Sequence, residues 1–256
     1  MNRLALPLVL ALLMAAPALA QVNTERLRSD ITPGFHGYVD GSLEYRQGNG
    51  PRIRLSAGAR LDYIAEEIHR IFAHGSFDYG EKGDDHEHYL NRAFGHMRWT
   101  AMWHPHIGSE VFAQAQFDEF LRLNLRVLGG IGARFVLLDT DIIDLAVGVG
   151  YMTEYETLDL AADNSHPADS VNHRLTSYVS LSLQINERVS LNSTTYAQPK
   201  LDDPDDFRLL EEAGLEVSLV KHLTLVLALS VYHDNRPPDG VQATDLSFAP
   251  RFKVHW

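Results

Sequence analysis

The chain contains no cysteine, and this absence removes several kinds of function at once. Without thiols there is no disulfide framework, no cysteine nucleophile and no cysteine-ligated zinc. The formal net charge of −12 also argues against a nucleic-acid partner, because nucleic-acid binding depends on basic side chains that neutralise phosphates. Enzyme signatures are missing as well: the sequence has no G-x-S-x-G, no H-E-x-x-H and no phosphate-binding glycine-rich loop. We therefore predict no catalytic site, no cofactor and no bound nucleic acid.

Long hydrophobic runs are absent after residue 20, where no segment approaches the roughly 20 apolar residues of a membrane-spanning helix. The first 20 residues differ from the rest. They combine a positive charge at Arg3 with a short apolar core and the small-x-small motif that ends at Ala20. This pattern predicts a cleaved, secretory signal peptide over residues 1–20, followed by a short periplasmic segment over residues 21–33.

Helical periodicity is scarce, and alternation of apolar and polar residues takes its place. In "FHGYVDGSLEY", Phe35, Val39 and Leu43 lie on one face and polar residues lie on the other. Such alternation is typical of strands with one apolar and one polar face. About twelve segments show it, near residues 34–46, 52–64, 70–80, 90–104, 106–118, 121–137, 141–154, 173–186, 188–199, 208–220, 222–233 and 243–256.

The connections between these segments alternate between tight turns, such as "HPH" and "NER", and longer loops, such as "EKGDDHEH" and "HDNRPPDGVQA". Outer-membrane barrels have short periplasmic turns and longer external loops. In lipid a sheet must close, because an open edge would leave backbone groups without hydrogen-bond partners. The sequence therefore predicts an all-β, antiparallel, up-and-down transmembrane β-barrel of about twelve strands over residues 34–256, in the outer membrane of a Gram-negative bacterium.

Aromatic residues fall near the predicted strand ends on the apolar face. Such girdles place amphipathic rings at the headgroup level of a membrane, whereas ordinary enrichment of aromatics in strands is the alternative explanation. The predicted interface anchors are Phe35, Tyr45, Tyr63, Tyr79, Trp103, Phe117, Phe135, Tyr151 and Trp256. In the last stretch, "LSFAPRFKVHW", Pro250 interrupts a predicted strand where a ladder donor is lost.

Polar side chains on the opposite face would line the interior. Hairpin registers drawn from the turn centres place Arg60, His74, His96, Gln114 and Arg126 at similar heights, and we name these five residues the interior belt. The same registers set Arg54 opposite Glu44, Asp78 opposite Arg92, and Asp144 opposite Arg134. A belt of this kind either passes or binds a small solute, or plugs the barrel with paired charges. The sequence leaves both alternatives open.

Two acidic loops are candidate sites for divalent cations. Residues 84–88, "DDHEH", offer carboxylate and imidazole ligands, and residues 202–206, "DDPDD", offer four carboxylates. A solvated, charged loop tip is the alternative for both. The barrel class itself implies further partners, namely outer-membrane lipid and lipopolysaccharide, and the barrel-assembly machinery.

The segment "VYHDNRPPDGVQATDLSFAPRFKVHW" resembles the C-terminal end of the salt-induced outer membrane proteins, also known as the domain-of-unknown-function family numbered 481. The hairpin before it and the central section "FDEFLRLNLRVLGGIGARFVLLDTDIIDLAVGVGYMTEYE" are similar to the same family. The resemblance implies an outer-membrane β-barrel and a link to salt stress. It brings no catalytic residues.

Three functions are consistent with these patterns. The first is a narrow pore or an envelope component, which the polar interior and the resemblance favour. The second is an outer-membrane lipid hydrolase that would use Ser109 and Glu110 with His104 and His106, which lie close by in the sequence. The third is a soluble, secreted β-protein.

Overall fold

The computed structural model of the protein describes residues 33–65, 68–161, 164–221 and 223–254. The predicted signal peptide, the predicted N-terminal segment up to residue 32, and Trp256 lie outside the described residues. The described residues form twelve strands: β1 Gly34–Arg46, β2 Arg52–Ala65, β3 His69–Lys82, β4 Glu87–His104, β5 Ile107–Asp118, β6 Leu123–Asp139, β7 Ile143–Leu158, β8 Asp169–Asn186, β9 Val189–Pro199, β10 Phe207–Val220, β11 Leu223–Asp234 and β12 Thr244–Val254.

Each strand pairs antiparallel with the next one along the chain, so that the sheet order is simply β1 to β12. The prediction of an antiparallel, up-and-down sheet of about twelve strands is confirmed. A single 3-10 helix, Glu119–Leu121, is present in the described residues and connects β5 to β6. Within the described ranges, no helical segment has the length and hydropathy that a membrane-spanning helix needs.

The two faces of the sheet differ in burial because side chains alternate along a strand. In β11, Val226, Ala228 and Ser230 are buried, and the residues between them are more exposed. In β1 the large apolar side chains point the other way: Val39 is 84% exposed and Leu43 is 73% exposed. The sheet thus buries its charged and polar face and presents its aliphatic face to the surroundings.

Contacts across the buried face show that the sheet is coiled into a barrel. The Tyr178 side chain of β8 reaches Glu110 of β5, and Arg208 of β10 reaches Glu154 of β7, although neither pair of strands is adjacent. At one rim, a methyl group added to Gly240 would lie 3.5 Å from the guanidinium of Arg122. The ladders among the described residues run from β1 to β12, and none joins those two strands.

Pro250 lies in β12 opposite Leu227 of β11. Among the described residues β12 is paired on that side alone. A strand with one unpaired side is where proline is tolerated, because the missing N–H is not required by a second ladder. Among the described ladders, the missing N–H of Pro250 therefore leaves no second neighbouring strand without a hydrogen bond.

The up-and-down order sorts the connections between the two rims. Short turns join β2–β3, β4–β5, β6–β7, β8–β9 and β10–β11 at one rim, and the remaining connections lie at the other. We call this second end the long-loop rim. Three of its loops matter below: loop A (described residues 159–161 and 164–168), loop B (residues 200–206) and loop C (residues 235–243).

Candidate functional site

Four residues of the predicted interior belt form one row across β2 to β5. Arg60 lies opposite His74, His74 lies opposite His96, and His96 lies opposite Gln114. Arg60, His96 and Gln114 are each less than 10% exposed, and His74 is half-buried. Alternation on four successive strands therefore brings these side chains together inside the barrel.

Arg126 does not join this row. Its partner on β5 is Gln116, and Gln114 instead lies opposite Leu128, two residues away. The reason is the connection before β6, in which the 3-10 helix Glu119–Leu121 turns the chain and the ladder shifts by one residue near Asp118. Arg126 is consequently displaced towards the long-loop rim, where it enters a different group of charges.

Aromatic rings fill much of the space around the belt. The imidazole of His96 stacks on Phe72 with centroids 5.5 Å apart, and on Phe112 at 6.4 Å. The guanidinium of Arg60 lies 4.6 Å from the centre of the Phe72 ring, and it also donates a 2.8 Å hydrogen bond to Asp62. The inner face is thus less uniformly polar than the alternation suggests, because rings separate its charges.

A second group of inward-facing side chains lies next to the belt. We name it the interior cluster: Arg98 of β4, Glu110 of β5, Arg134 of β6, Tyr178 of β8 and Tyr196 of β9. The hydroxyl of Tyr178 donates to Glu110 at 2.9 Å and accepts from Arg134 at 2.7 Å. The rings of Tyr178 and Tyr196 lie 5.4 Å apart.

Little space remains around the interior cluster. The cavity that touches Arg98, Glu110, Tyr178 and Tyr196 measures only about 10 Å³. A single water molecule needs roughly that much room or more. These side chains of β4 to β9 are therefore closely packed against one another.

A third group, the mouth network, lies towards the long-loop rim. Glu154 is almost fully buried and accepts hydrogen bonds from Arg174 at 2.9 Å and from Arg208 at 2.9 Å. Arg208 bridges further to Glu156 at 3.2 Å and to Asp234 at 2.8 Å. The network consists of Arg126, Glu154, Glu156, Arg174, Asp206, Arg208 and Asp234. Its members come from β6, β7, β8, β10, β11 and loop B, so it ties together strands that are not neighbours.

Above the mouth network lies a cavity of about 300 Å³, which we call the mouth cavity. Its floor contains Arg126, Arg208 and Glu156. Its walls are apolar in large part and include Leu121, Leu123, Leu158, Pro167, Pro237, Pro238 and Val241. Cavities of this size are at the lower end of those that hold small ligands.

Loops A and C form the roof of this cavity and are joined to each other. Ser165 donates two hydrogen bonds of 2.9 Å to Asp239, one from its backbone N–H and one from its hydroxyl. These bonds favour the ionised carboxylate, and they lower the pKa of Asp239 below its usual value of 3.8. The His166 ring donates from Nε2 to the carbonyl oxygen of Arg236 at 2.9 Å.

Loop C is also joined to loop B. Arg236 contacts Asp203 at 2.5 Å, and this hydrogen bond raises the pKa of the Arg236 guanidinium. The Asn235 side-chain oxygen accepts the backbone N–H of Phe207 at 2.8 Å. Loops A, B and C therefore form one hydrogen-bonded layer over the mouth cavity.

Of the residues in the mouth network, only Arg126 was predicted from the sequence as a candidate site residue, as a member of the interior belt. A usable signal was present, because these residues occupy inward positions near the long-loop ends of β7, β8, β10 and β11. Charges at matching heights on non-adjacent strands can meet only if the sheet coils. Registers between neighbouring strands do not reveal such contacts across the interior.

The predicted aromatic anchors in the described residues lie on the outer face. Phe35, Tyr45 and Trp103 are the most exposed, at 71%, 66% and 65%. Phe35 contacts Tyr63 at the short-turn rim with ring centroids 4.5 Å apart. Tyr79, Phe117 and Phe135 are half-buried near strand ends.

One anchor is misplaced in the prediction. Tyr151, 42% exposed, lies in the middle of β7 rather than at its end. The strand continues to Leu158, four residues beyond the end that the pattern predicted, because residues 155–158 keep the alternation that leaves Glu156 inside. Tyr155, 43% exposed, lies closer to the rim.

The two acidic loops are organised by hydrogen bonds rather than by a metal-like arrangement. His86 contacts Glu81 at 2.8 Å, and His88 contacts Glu119 at 3.3 Å. In loop B, Asp203 contacts Arg236. Over the ranges that the structure describes, no group of three His, Cys, Asp or Glu side chains is placed to hold a metal ion.

The residues of the hydrolase alternative are not assembled into a catalytic group. Glu110 points into the barrel, whereas Ser109 is on the outer side and its hydroxyl accepts a 2.9 Å hydrogen bond from Trp103. The His106 ring contacts the Val136 carbonyl oxygen at 3.1 Å. A serine nucleophile needs its base within hydrogen-bond reach, and these side chains have other partners.

Asp78 and Arg92 lie opposite each other on β3 and β4, as the register predicts, and their side chains form a 3.0 Å ion pair. Arg54 also lies opposite Glu44, although the ion pair of Glu44 is with Arg52. The third predicted pair is wrong: Asp144 lies opposite Asp139 and Arg134 opposite Gly148, because β6 continues to Asp139 and the turn to β7 comes later than the pattern indicated.

Comparison with known proteins adds a family match: residues 39–256 match a family model described as "Protein of unknown function, DUF481". No curated protein matches the chain. A solved structure similar to it is the NanC porin in a rhombohedral crystal form, at 11% identity and a TM-score of 0.47, covering 87% of this chain and 98% of that one.

Proposed function

The chain belongs to the DUF481 family, and from its geometry we propose that it spans the outer membrane as a narrow pore that the interior cluster holds closed. The carrying observation is the pair of hydrogen bonds on the Tyr178 hydroxyl, from Arg134 and to Glu110. They join β5, β6 and β8 across the interior. A barrel of about twelve strands has room for a channel only where its side chains leave one.

The outer face supports the membrane part of this proposal. It carries exposed aliphatic and aromatic side chains on successive strands, among them Leu61, Ile131 and Val179, which are 52%, 61% and 49% exposed. Soluble proteins rarely expose large apolar surfaces, because hydrocarbon in water is unfavourable. Lipid would remove this cost, and the exposed rings near the rims suit the headgroup level.

The experiment for the membrane part is fractionation of cells that express the full chain, followed by a gel of boiled and unboiled samples. We expect the protein in the outer-membrane fraction, with a mobility shift on boiling, because a closed barrel resists detergent until it is heated. Recovery only in the soluble periplasm would overturn this part of the proposal. If the protein is recovered in the outer membrane, we expect the barrel-assembly machinery to insert it, with the long-loop rim facing lipopolysaccharide.

An envelope component that responds to salt stress is the second candidate. The filled interior favours it, because a barrel without passage can still contribute to the outer membrane as a structural element. Growth of a deletion strain in raised sodium chloride tests it. If the deletion strain grows poorly in salt, and if the unaltered protein and a variant with an opened interior restore growth equally, the envelope role is favoured over the pore.

A further inference from the structure

The lining of the mouth cavity contains more cationic side chains than carboxylates, in a protein whose net charge is −12. Its lining includes five cationic side chains, namely Arg126, Arg174, Lys200, Arg208 and Arg236, and three carboxylates, namely Glu156, Asp206 and Asp234. The carboxylate of Glu154, buried beneath the floor, offsets part of the excess. Asp202 and Asp203 pair with Lys200 and Arg236 from outside the lining, but their side chains are 75% and 41% exposed, so water screens their charge.

Two of these cations keep donors that the network does not use. Arg126 contacts Glu156 through Nε and Nη2, and within the described residues its Nη1 group makes no hydrogen bond. The Lys200 ammonium lies 3.7 Å from Asp202, whose side chain is 75% exposed. The pair is weak, because water screens the exposed carboxylate of Asp202.

The other cations are more fully engaged. Arg208 donates to Glu154, Glu156 and Asp234. Arg174 donates to Glu154, to Asp206 and to the carbonyl oxygen of Gln198. These two arginines hold the floor in place, and Arg236 is paired with Asp203. Arg126 and Lys200 therefore remain for a ligand.

The rest of the lining determines what kind of anion fits. Leu121, Leu158 and Pro237 present apolar surface beside the charged floor. An inorganic ion would leave this surface in contact with water. An organic acid would cover it and gain the free energy of burying apolar area.

We propose that the mouth cavity binds a small organic anion, with its carboxylate on Arg126 and Lys200 and its apolar body against Leu121, Leu158 and Pro237. This inference rests on the proposed function, because it names what a closed barrel takes up at its long-loop rim. The volume of about 300 Å³ admits a molecule the size of a monocyclic aromatic acid.

Three probes of nearly equal shape and different charge test the proposal: benzoate, benzamide and benzamidine. Their binding to the full chain, folded in detergent micelles, is measured by isothermal titration calorimetry. We expect benzoate to bind more tightly than benzamide, and benzamidine to bind most weakly. Equal affinities for benzoate and benzamide, or no binding of benzoate, would overturn the proposal.

Variants locate the site. Arg126→Gln and Lys200→Gln each remove one positive charge, and each is expected to weaken benzoate binding by roughly tenfold, because a hydrogen bond to a charged group is lost. The matched control is Lys82→Gln, at the same rim but outside the cavity, with a side chain that is 52% exposed. Unchanged benzoate affinity in both cavity variants would contradict the assignment.

The calorimetry is independent of membrane insertion and of conductance. A loss of benzoate binding would remove this inference and leave the results of fractionation and of electrical recording standing. Conversely, benzoate binding by a protein that fractionates outside the membrane would remove the proposed function alone. Lys200→Gln remains informative even if Arg126→Gln fails to fold, because Lys200 lies at the edge of the mouth network.

Discussion

The hydroxyl of Tyr178 donates a hydrogen bond of 2.9 Å to Glu110, a residue that lies 68 positions earlier in the chain. The two residues are on β8 and β5, which share no ladder. The contact exists because the sheet coils until its inner faces meet. The contact of this one tyrosine thus results from the coiling of the sheet, and its ring narrows the interior.

Gly148 of β7 makes room for this tyrosine. A methyl group added there would lie 2.1 Å from the ring of Tyr178, so the ring must move if Gly148 becomes alanine. We expect Gly148→Ala to displace Tyr178 from Glu110 and to raise ion conductance in lipid bilayers. Gly95→Ala is the control, because nothing lies within 4 Å of a methyl group at Gly95. Equal conductance in both variants would contradict a closing role of Tyr178.

The mouth network should be essential for stability. Glu154→Gln leaves Arg174 and Arg208 facing a neutral amide in a buried site, and loss of one partner of a buried ion pair costs about 3–5 kcal/mol. We expect a loss of this order in the free energy of unfolding, measured with urea in lipid vesicles. Glu87→Gln, which removes an exposed partner of Lys82, should change it little. Similar losses in both variants would refute the importance of the network.

A charge introduced at mid-height on the outer face should destabilise the protein in the membrane. Ile131→Arg, in the middle of β6, is expected to cost about 2–4 kcal/mol if that position faces the centre of a bilayer. Ile142→Arg is a matched control, because Ile142 is 60% exposed and Ile131 is 61% exposed, and Ile142 lies in a short turn. The yield of heat-modifiable protein in the outer membrane measures both. A soluble protein would tolerate the two substitutions equally.

The contact between loops A and C should depend on pH with a defined sign. The pKa of Asp239 is lowered from 3.8, so the ionised form stabilises the contact above pH 3.8, and the contact is lost as the pH falls through the lower pKa of the folded protein. The amide resonance of Ser165, which donates to Asp239, should titrate with a midpoint below 3.8. A midpoint at or above 3.8 would contradict the hydrogen bonds, and Asp239→Asn should abolish the titration.

The fold was accessible from the sequence because alternation and turn length are local properties. They predicted the twelve strands, their order, and the pairing of Asp78 with Arg92. The extent of β7 was less accessible. Tyr151 was assigned to a strand end because no residue from 152 to 158 marks the end of a strand, and only the observed pairing fixes that end at Leu158.

The candidate sites were only partly accessible, for a physical reason. Register between neighbours follows from a turn, so Arg60, His74, His96 and Gln114 could be aligned. Contacts across the interior depend on how tightly the sheet coils, which no local pattern specifies. The approach of Arg208 to Glu154 is such a contact, and so is that of Tyr178 to Glu110.

The most direct test of a pore held closed by the interior cluster is single-channel recording of the unaltered protein and of Tyr178→Ala in planar bilayers. Removal of this side chain deletes both hydrogen bonds and the ring that packs on Tyr196. The closed-pore account predicts no conductance steps for the unaltered protein and resolved steps for Tyr178→Ala. Steps of equal size in both proteins, or silence in both with normal insertion, would contradict it.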